Sequence, residues 1–190
     1  VSGVSEACRR RLGAVSEASR RRLGASRPPR APREAAARRA ASYGMRVCVL
    51  RIGLVLAPDG GFLQRMRLPF SLGLGGPLGS GRQYMPWVHH SDVEALLQWL
   101  IERPDCRGVY NGTAPTPVTN REFSRALGRA LGRPAVLPAP APVLKLALGE
   151  MSRLLLTGQR ALPAKAEQEG FVFRYPHLET ALAQVLQKQK

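Results

Sequence analysis

An apolar run at residues 45–56, MRVCVLRIGLVL, constrains the fold of this chain more than any other feature. Valine, isoleucine and leucine dominate it, and Arg46 and Arg51 are its only charged residues. Strands that are buried on both faces of a parallel sheet have this composition. Because a buried charge needs a partner, we expect Arg51 to lie near the strand end or against a carboxylate.

Two segments downstream carry the start signals of helices. In each, a hydroxyl residue is followed three positions later by glutamate, which is the pattern of a capping box: Ser91 with Glu94, and Thr119 with Glu122. We predict that the first helix ends before Pro104 and the second at Gly132. The second should bury Phe123, Leu127 and Leu131 and expose Arg121, Arg125 and Arg129.

Further helices are predicted at residues 34–41, 141–158 and 177–187, and short strands at residues 84–88, 108–111, 135–137 and 171–174. Strands that alternate with helices indicate an α/β fold.

The charge of the chain is uneven. Residues 1–46 hold 12 arginines and three glutamates, whereas the net charge of the whole chain is +16. An 11-residue repeat, VSEACRRRLGA then VSEASRRRLGA, is interrupted by glycines and followed by the proline-rich SRPPRAPR. Residues 1–44 are therefore predicted to be a basic, disordered arm. Binding of nucleic acid is the alternative, with little support because no aromatic residue precedes Tyr43.

Three cysteines without CxxC spacing favour a reducing compartment over a disulfide framework or a zinc site. No apolar run approaches the ~18 residues that a membrane span needs. The cytoplasm is the predicted location. An arginine-rich, acid-poor start leaves a mitochondrial transit peptide as an alternative.

A glycine-rich stretch at residues 72–93, LGLGGPLGSGRQYMPWVHHSDV, is the candidate functional segment. Its glycines do not have the G-x-G-x-x-G spacing, and Arg82 and Gln83 stand where a P-loop needs lysine and serine or threonine. A metal site is not expected, because His89 and His90 are adjacent and should point to opposite sides of an extended chain.

A substrate pocket is the remaining functional interpretation of this stretch. Arg82 and Gln83 would hold a polar or phosphorylated group, Trp87 would form an apolar wall, and His89 or Asp92 would orient a polar group. The structural alternative is a glycine turn, a core tryptophan and an aspartate that favours the start of a helix.

Several strings resemble a known family: residues 50–93, then GVYNGTAPTPVTNREF, ALGRP and GQRALP followed by GFVF. Together they resemble the C-terminal half of the extended short-chain dehydrogenases of the epimerase family, which are similar to nucleoside-diphosphate-sugar epimerases. The resemblance covers residues 45–186.

The resemblance implies a partial Rossmann sheet plus a small α/β C-terminal domain, with boundaries at 45–131 and 132–190. It implies NADP as cofactor and a small or sugar-linked carbonyl substrate. The backbone of Ile52, Gly53, Leu54 and Val55 would pass the nicotinamide, and Asn111 would end a strand beside the substrate. With Arg82, Gln83, Trp87 and His89, Asn111 completes the predicted substrate-binding set.

The catalytic part of the family pattern is absent from this sequence. The family uses a tyrosine followed four residues later by lysine, which lowers the pKa of the tyrosine for proton transfer. Here the residues four positions after Tyr43, Tyr84, Tyr110 and Tyr175 are Val47, Val88, Ala114 and Glu179. We therefore assign no catalytic residue and expect a fragment or divergent member with weak or no activity.

Two other functions remain open at this point. One is a non-enzymatic binding module whose arginine-rich arm contacts a polyanion. The other is pairing with a second copy, because a truncated Rossmann sheet would leave an open edge.

Overall fold

The computed structural model describes residues 30–137 and 158–187. The chain forms two compact units that divide between Met45 and Arg46. In the first unit a helix, α1 (Arg30–Arg39), leads into a 3-10 helix (Ala40–Tyr43) that ends at Gly44, whose φ is 76°. The alanine-rich segment of the arm is thus helical, as predicted. Residues 1–29 lie outside the described residues.

The second unit alternates strands and helices. Its strands are β1 (Cys48–Ile52), β2 (Leu54–Leu56), β3 (Tyr84–Met85), β4 (Trp87–His89), β5 (Gly108–Gly112) and β6 (Val118–Thr119). Its helices are α2 (Gly61–Ser71), α3 (His90–Glu102), α4 (Asn120–Ala130), α5 (Ala164–Gln168) and α6 (Leu178–Gln187). The α/β prediction is confirmed.

Three strand pairings organise this unit. β1 pairs in parallel with β5, from Cys48 opposite Gly108 to Ile52 opposite Gly112. β2 pairs in parallel with β4, and β3 pairs antiparallel with β6. Parallel pairs need a crossover connection, and α2 and α3 provide helices for these crossovers.

The apolar side chains collect in two cores. The larger lies between β2, α2, α4 and α6 and includes Leu56, Phe70, Phe123 and Leu182. The smaller lies where α3 and β5 meet the segment around α5, and it contains Leu96, Cys106, Tyr110, Phe171 and Phe173. The described part of the C-terminal segment, residues 158–187, contributes to both cores. Residues far apart in sequence therefore form one packed unit.

Several predicted boundaries differ from the structure. The single strand at residues 45–56 is divided at Gly53 and is not buried on both faces: Ile52 is 41% exposed, and Arg51 is exposed near the end of β1. Among the described residues β1 pairs along one edge only, with β5.

Two predicted strands do not form. Residues 135–137 are not in a strand, and Leu137 N donates to Gly75 O at 3.3 Å. Near residues 171–174, the amides of Arg174 and Tyr175 donate to the carboxylate of Asp92 instead of a strand. The helix predicted at residues 141–158 lies outside the described residues except for Gly158.

Candidate functional site

The strand changes partner at Gly53, within the predicted cofactor segment. Gly53 N donates to Gly112 O of β5 at 3.1 Å, and Leu54 N donates to Pro86 O at 2.6 Å. A Cβ at Gly53 would collide with Pro86 O and lie 3.1 Å from Thr113 Cγ2. Only glycine permits this close backbone approach. The extended chain thus pairs with β5 before this point and with β4 after it, and Ile52 and Val55 lie on either side of the change.

Divergence of this kind has a known use in α/β folds. Ligands bind beyond the carboxyl ends of parallel strands, where neighbouring strands separate. The geometry of residues 52–55 is therefore compatible with the predicted cofactor contact, and that contact stays a prediction.

The glycine-rich stretch packs against its own chain. Gly75 lies on the ring of Phe70, where a Cβ would not fit, and Gly73, Gly79 and Gly81 have φ values of 74°, 60° and 70°. The amide of Leu78 donates to Asn120 Oδ1 at 2.7 Å. A strand, β3, follows the loop instead of a helix. These glycines let the loop fold tightly over α4.

Arg82 and Gln83, the first two predicted substrate-binding residues, differ in what they contact. Arg82 is exposed at the end of the loop. Gln83 is half-buried, and its Nε2 donates to Leu78 O at 2.8 Å. Gln83 thus stabilises the loop that presents Arg82.

Trp87 and His89 are buried. Trp87 is 1% exposed, and its Nε1 donates to Thr116 O at 3.2 Å. His89 is fully buried, its Nδ1 accepts from Ser91 N, and its Nε2 lies 2.8 Å from Gln184 Oε1. Because the backbone amide occupies Nδ1, the proton of the neutral ring belongs on Nε2. Both side chains are therefore buried and bonded within the fold, and a substrate-binding role for either stays a prediction.

The capping box predicted at Ser91 is wrong. His89 is the N-cap of α3, because its ring nitrogen takes the amide of Ser91, and the helix begins at His90. Glu94 then faces His90 Nδ1 at 3.7 Å. The box at Thr119 and Glu122 is confirmed. Hydrogen bonds from Thr119, first its backbone amide, hold the pKa of Glu122 below its usual value.

Asn111 and Thr113 tie the end of β5 to the C-terminal segment. Asn111 Nδ2 donates to Leu162 O at 2.9 Å, and Thr113 Oγ1 donates to Ala161 O at 3.3 Å. Asp92 makes a matching link, since both of its oxygens accept backbone amides of that segment. A substrate-binding role of Asn111 stays a prediction, because its amide group already has this partner.

Tyr110 and Glu169 form a second link within the smaller core. The Tyr110 hydroxyl donates to Glu169 Oε2 at 2.7 Å, and Lys165 Nζ lies 4.4 Å from the centre of the tyrosine ring. Burial, followed by the hydrogen bond to Glu169, raises the pKa of Tyr110 well above its ordinary value. A protonated Tyr110 is therefore a structural hydrogen-bond donor here.

Arg160 makes a contact that sequence reasoning did not anticipate. Its guanidinium carbon lies 5.6 Å from the ring centre of Tyr84, two residues after Arg82. The string GQRALP carries part of the family resemblance, but nothing in it indicates that it meets Tyr84.

Among the residues that the structure describes, no group of three metal-ligating side chains is present. No helix in this part of the chain has the length and apolar character needed to cross a bilayer.

Comparison with known proteins extends this description. Residues 139–185 match a family model described as a domain of unknown function, DUF1731. The chain is 44% identical over 152 residues to the epimerase family protein SDR39U1 of Mus musculus, an alignment that covers 80% of this chain and 52% of that protein. The chain thus spans about half the length of the curated relatives it matches.

Two solved structures resemble the fold. The human epimerase family protein SDR39U1, crystallised with NADPH, superposes with a TM-score of 0.72 and 40% identity. The match covers 75% of this chain and 49% of the human one. A nucleoside-diphosphate-sugar epimerase from Corynebacterium glutamicum gives a TM-score of 0.64 and 27% identity, covering 80% of this chain and 29% of that one.

These matches agree with the strings on which the resemblance rests and with the parallel strand pairs of the second unit. In sequence and fold, this chain corresponds to the C-terminal half of an epimerase-family protein of the extended short-chain dehydrogenase type.

Proposed function

We propose that this chain forms the substrate-side half of an NADP(H)-dependent epimerase or oxidoreductase that acts on a small or sugar-linked carbonyl compound. One observation carries the proposal. The strand that divides at Gly53 and the loop that ends at Arg82 belong to one packed unit, in a sequence where no tyrosine is followed by lysine four residues later. The sequence therefore lacks the tyrosine–lysine pair with which the resembled family exchanges a proton with the carbonyl oxygen.

The cofactor part of the proposal concerns residues 52–55. Exposed Ile52 and the half-buried residues 53–55 would lie along the nicotinamide end of NADP. What supports this assignment is the strand divergence at Gly53 and the NADPH in the related human structure. The chain would need the other half of the fold to hold the pyrophosphate of the cofactor.

The substrate part of the proposal divides the five predicted residues by exposure. Arg82 would contact the substrate directly because its side chain is exposed, and Gln83 would fix the loop that carries it. Trp87, His89 and Asn111 would maintain the shape of the region through their bonds to Thr116, Gln184 and Leu162. We propose the cytoplasm as the compartment, supported by the free thiols of Cys48 and Cys106.

A graft tests this function. Residues 46–190 would replace the matching half of the mouse relative, so that the relative supplies the first half of the sheet. We expect the graft to bind NADPH stoichiometrically, as measured by quenching of protein fluorescence. A folded graft that fails to bind NADPH contradicts the proposal. The matched control joins the same mouse half to residues 1–45 and should not bind.

A further inference from the structure

We propose that four exposed leucines at the end of α2 form a lipid-binding surface, through which the chain attaches to the anionic face of a membrane without crossing it. They are Leu68, Leu72, Leu74 and Leu137, which we call the leucine patch. These residues are 69%, 65%, 61% and 48% exposed. Single exposed leucines are ordinary on protein surfaces, whereas a contiguous group marks an interaction site.

The end of α2 brings three of the leucines together. Leu68 and Leu72 are one helical turn apart, on the side of α2 opposite to its buried apolar face. The chain then turns back at Gly73, whose φ is 74°, and the amide of Leu74 donates to Pro69 O at 2.9 Å. This is the Schellman motif, in which the residue after the turn lies against the last turn of the helix. Leu74 therefore lies beside the helical turn that carries Leu68.

The fourth leucine belongs to the segment that follows α4. Leu137 N donates to Gly75 O at 3.3 Å, and a Cβ at Gly76 would collide with Leu137 O. On the inner side of the loop, Ser124 Oγ of α4 donates to Gly76 O at 3.1 Å. Because Gly75 directly follows Leu74, the backbone of Leu137 continues the patch from α2 onto this second segment.

The stretches that supply the leucines are positively charged. Residues 60–91 and 123–137 together contain six arginines and no aspartate or glutamate. Arg65 is exposed on α2 one turn before Leu68, and Arg129 of α4 pairs with Glu179 of α6 at 3.4 Å. Anionic headgroups complement such a surface, while leucine side chains enter the boundary between the headgroups and the acyl chains.

A lipid surface fits the leucine patch better than a second copy of the chain does. A stable protein interface buries roughly 800 Å² of each partner, which is more than four leucine residues can supply. Two copies that met at this patch would also bring their arginines together, and like charges repel each other. The anionic headgroups of a bilayer offer the opposite charge. The inference is independent of the proposed catalytic role, because it concerns where the chain is held.

The test is co-sedimentation of the full 190-residue chain with vesicles of phosphatidylcholine and phosphatidylserine in about a 3:1 ratio, at about 0.15 M ionic strength. We expect saturable binding, which the double variant Leu68→Ser/Leu72→Ser weakens at least about tenfold, because less apolar area enters the bilayer. Arg65→Gln should weaken binding about fivefold. Circular dichroism confirms that each variant is folded.

The matched control is Leu97→Ser/Ile101→Ser, which alters two exposed apolar residues with the same spacing on α3 and should change the affinity less than twofold. Absence of vesicle binding by the unaltered chain overturns the inference, as does an equal loss in this control. Full binding by the Leu68/Leu72 variant would show that the arginine-rich residues 1–46 alone attract the vesicles, and would overturn it too.

Two further measurements distinguish other occupants of the patch. If the Leu68/Leu72 variant loses a dimer in light scattering while its vesicle binding is unchanged, a second copy covers the patch and the inference is wrong. The graft that binds NADPH should still bind vesicles. Loss of vesicle binding in that graft would mean that the other half of the fold covers the leucines, which also overturns the inference.

Discussion

At the scale of single residues, the polar side chains of the second unit mostly join segments that are distant in sequence. Tyr110 is the clearest case, because its buried hydroxyl donates to Glu169 Oε2 at 2.7 Å. Sequence reasoning considered Tyr110 only as a catalytic candidate and excluded it. Its structural partner lies 59 residues away, and no local pattern marks the pair.

Replacing Tyr110 by phenylalanine removes this bond and leaves a half-buried carboxylate with one partner fewer. We expect the free energy of unfolding to fall by about 1–2 kcal/mol, as measured by urea denaturation at neutral pH. Tyr43→Phe is the control, since Tyr43 is 81% exposed and should change stability by less than about 0.5 kcal/mol. An equal loss in both variants would contradict the assigned role.

The same residue predicts an alkaline limit. The pKa of Tyr110 is raised in the folded state above its ordinary value of 10.0, so its contribution is complete below about pH 10 and is lost as pH rises toward the folded value. Unfolding curves at increasing alkaline pH should show this loss in the unaltered chain. If Tyr110→Phe loses stability with the same pH dependence, Tyr110 is not its source.

At the scale of elements, helix ends show how far the sequence predicts structure. The two capping-box patterns are equivalent in sequence, yet of the predicted caps Ser91 and Thr119 only Thr119 caps its helix. At the other site His89 caps the helix in place of Ser91, because its ring is held by Gln184 and stacked on Tyr175. Those contacts come from the C-terminal segment and are invisible in the local pattern. The break at Gly53 is hidden for the same reason, since its cause is Pro86 O.

Thr119→Ala should therefore destabilise the chain by about 1 kcal/mol, and Ser91→Ala by only a few tenths. Thermal unfolding of both variants gives the comparison. Because the pKa of Glu122 is lowered in the folded state, the capping contribution is present above pH 4.5 and is lost as pH falls below it. A Ser91 variant that is as damaging as the Thr119 variant would show that the caps are misassigned.

Arg46 closes the other end of α3. Its guanidinium donates to Leu100 O at 2.7 Å and Ile101 O at 3.1 Å in the last turn of the helix, and to Arg103 O at 3.1 Å just after it. Arg46→Gln should cost about 2 kcal/mol of unfolding free energy. Arg107→Gln removes the same charge nearby and should be neutral in the same denaturation experiment. Equal effects would mean that net charge, and not the helix end, is responsible.

At the scale of the whole molecule, the sequence predicted the α/β class and the half of the family to which the chain corresponds. Both predictions depend on long sequence strings and on the periodicity of helices and strands, which can be recognised without knowledge of tertiary contacts. The convergence of Arg160 on Tyr84 could not be predicted, because the two residues are 76 positions apart and meet only through the fold. Likewise, among the strands that the structure describes, β1 has a partner on one edge only, and this appears only once its pairing with β5 is known.

That edge predicts association. Unpaired strand edges attract other strands, so we expect apparent mass in light scattering to rise with protein concentration. Ile52→Lys places a charge on β1 and should reduce the association, whereas Val172→Lys, at a residue that is 85% exposed and outside any strand, should not. A monomer at every concentration, or equal effects of the two lysines, would contradict this expectation.

The central claim is that this chain forms the substrate side of the fold and lacks the half that would bind the pyrophosphate of NADP. Titration of NADPH into the 190-residue chain alone tests it most directly, with calorimetry as the measurement. The account predicts no stoichiometric binding by the chain, in contrast to the graft that restores the other half. Tight one-to-one binding of NADPH to these 190 residues would contradict it.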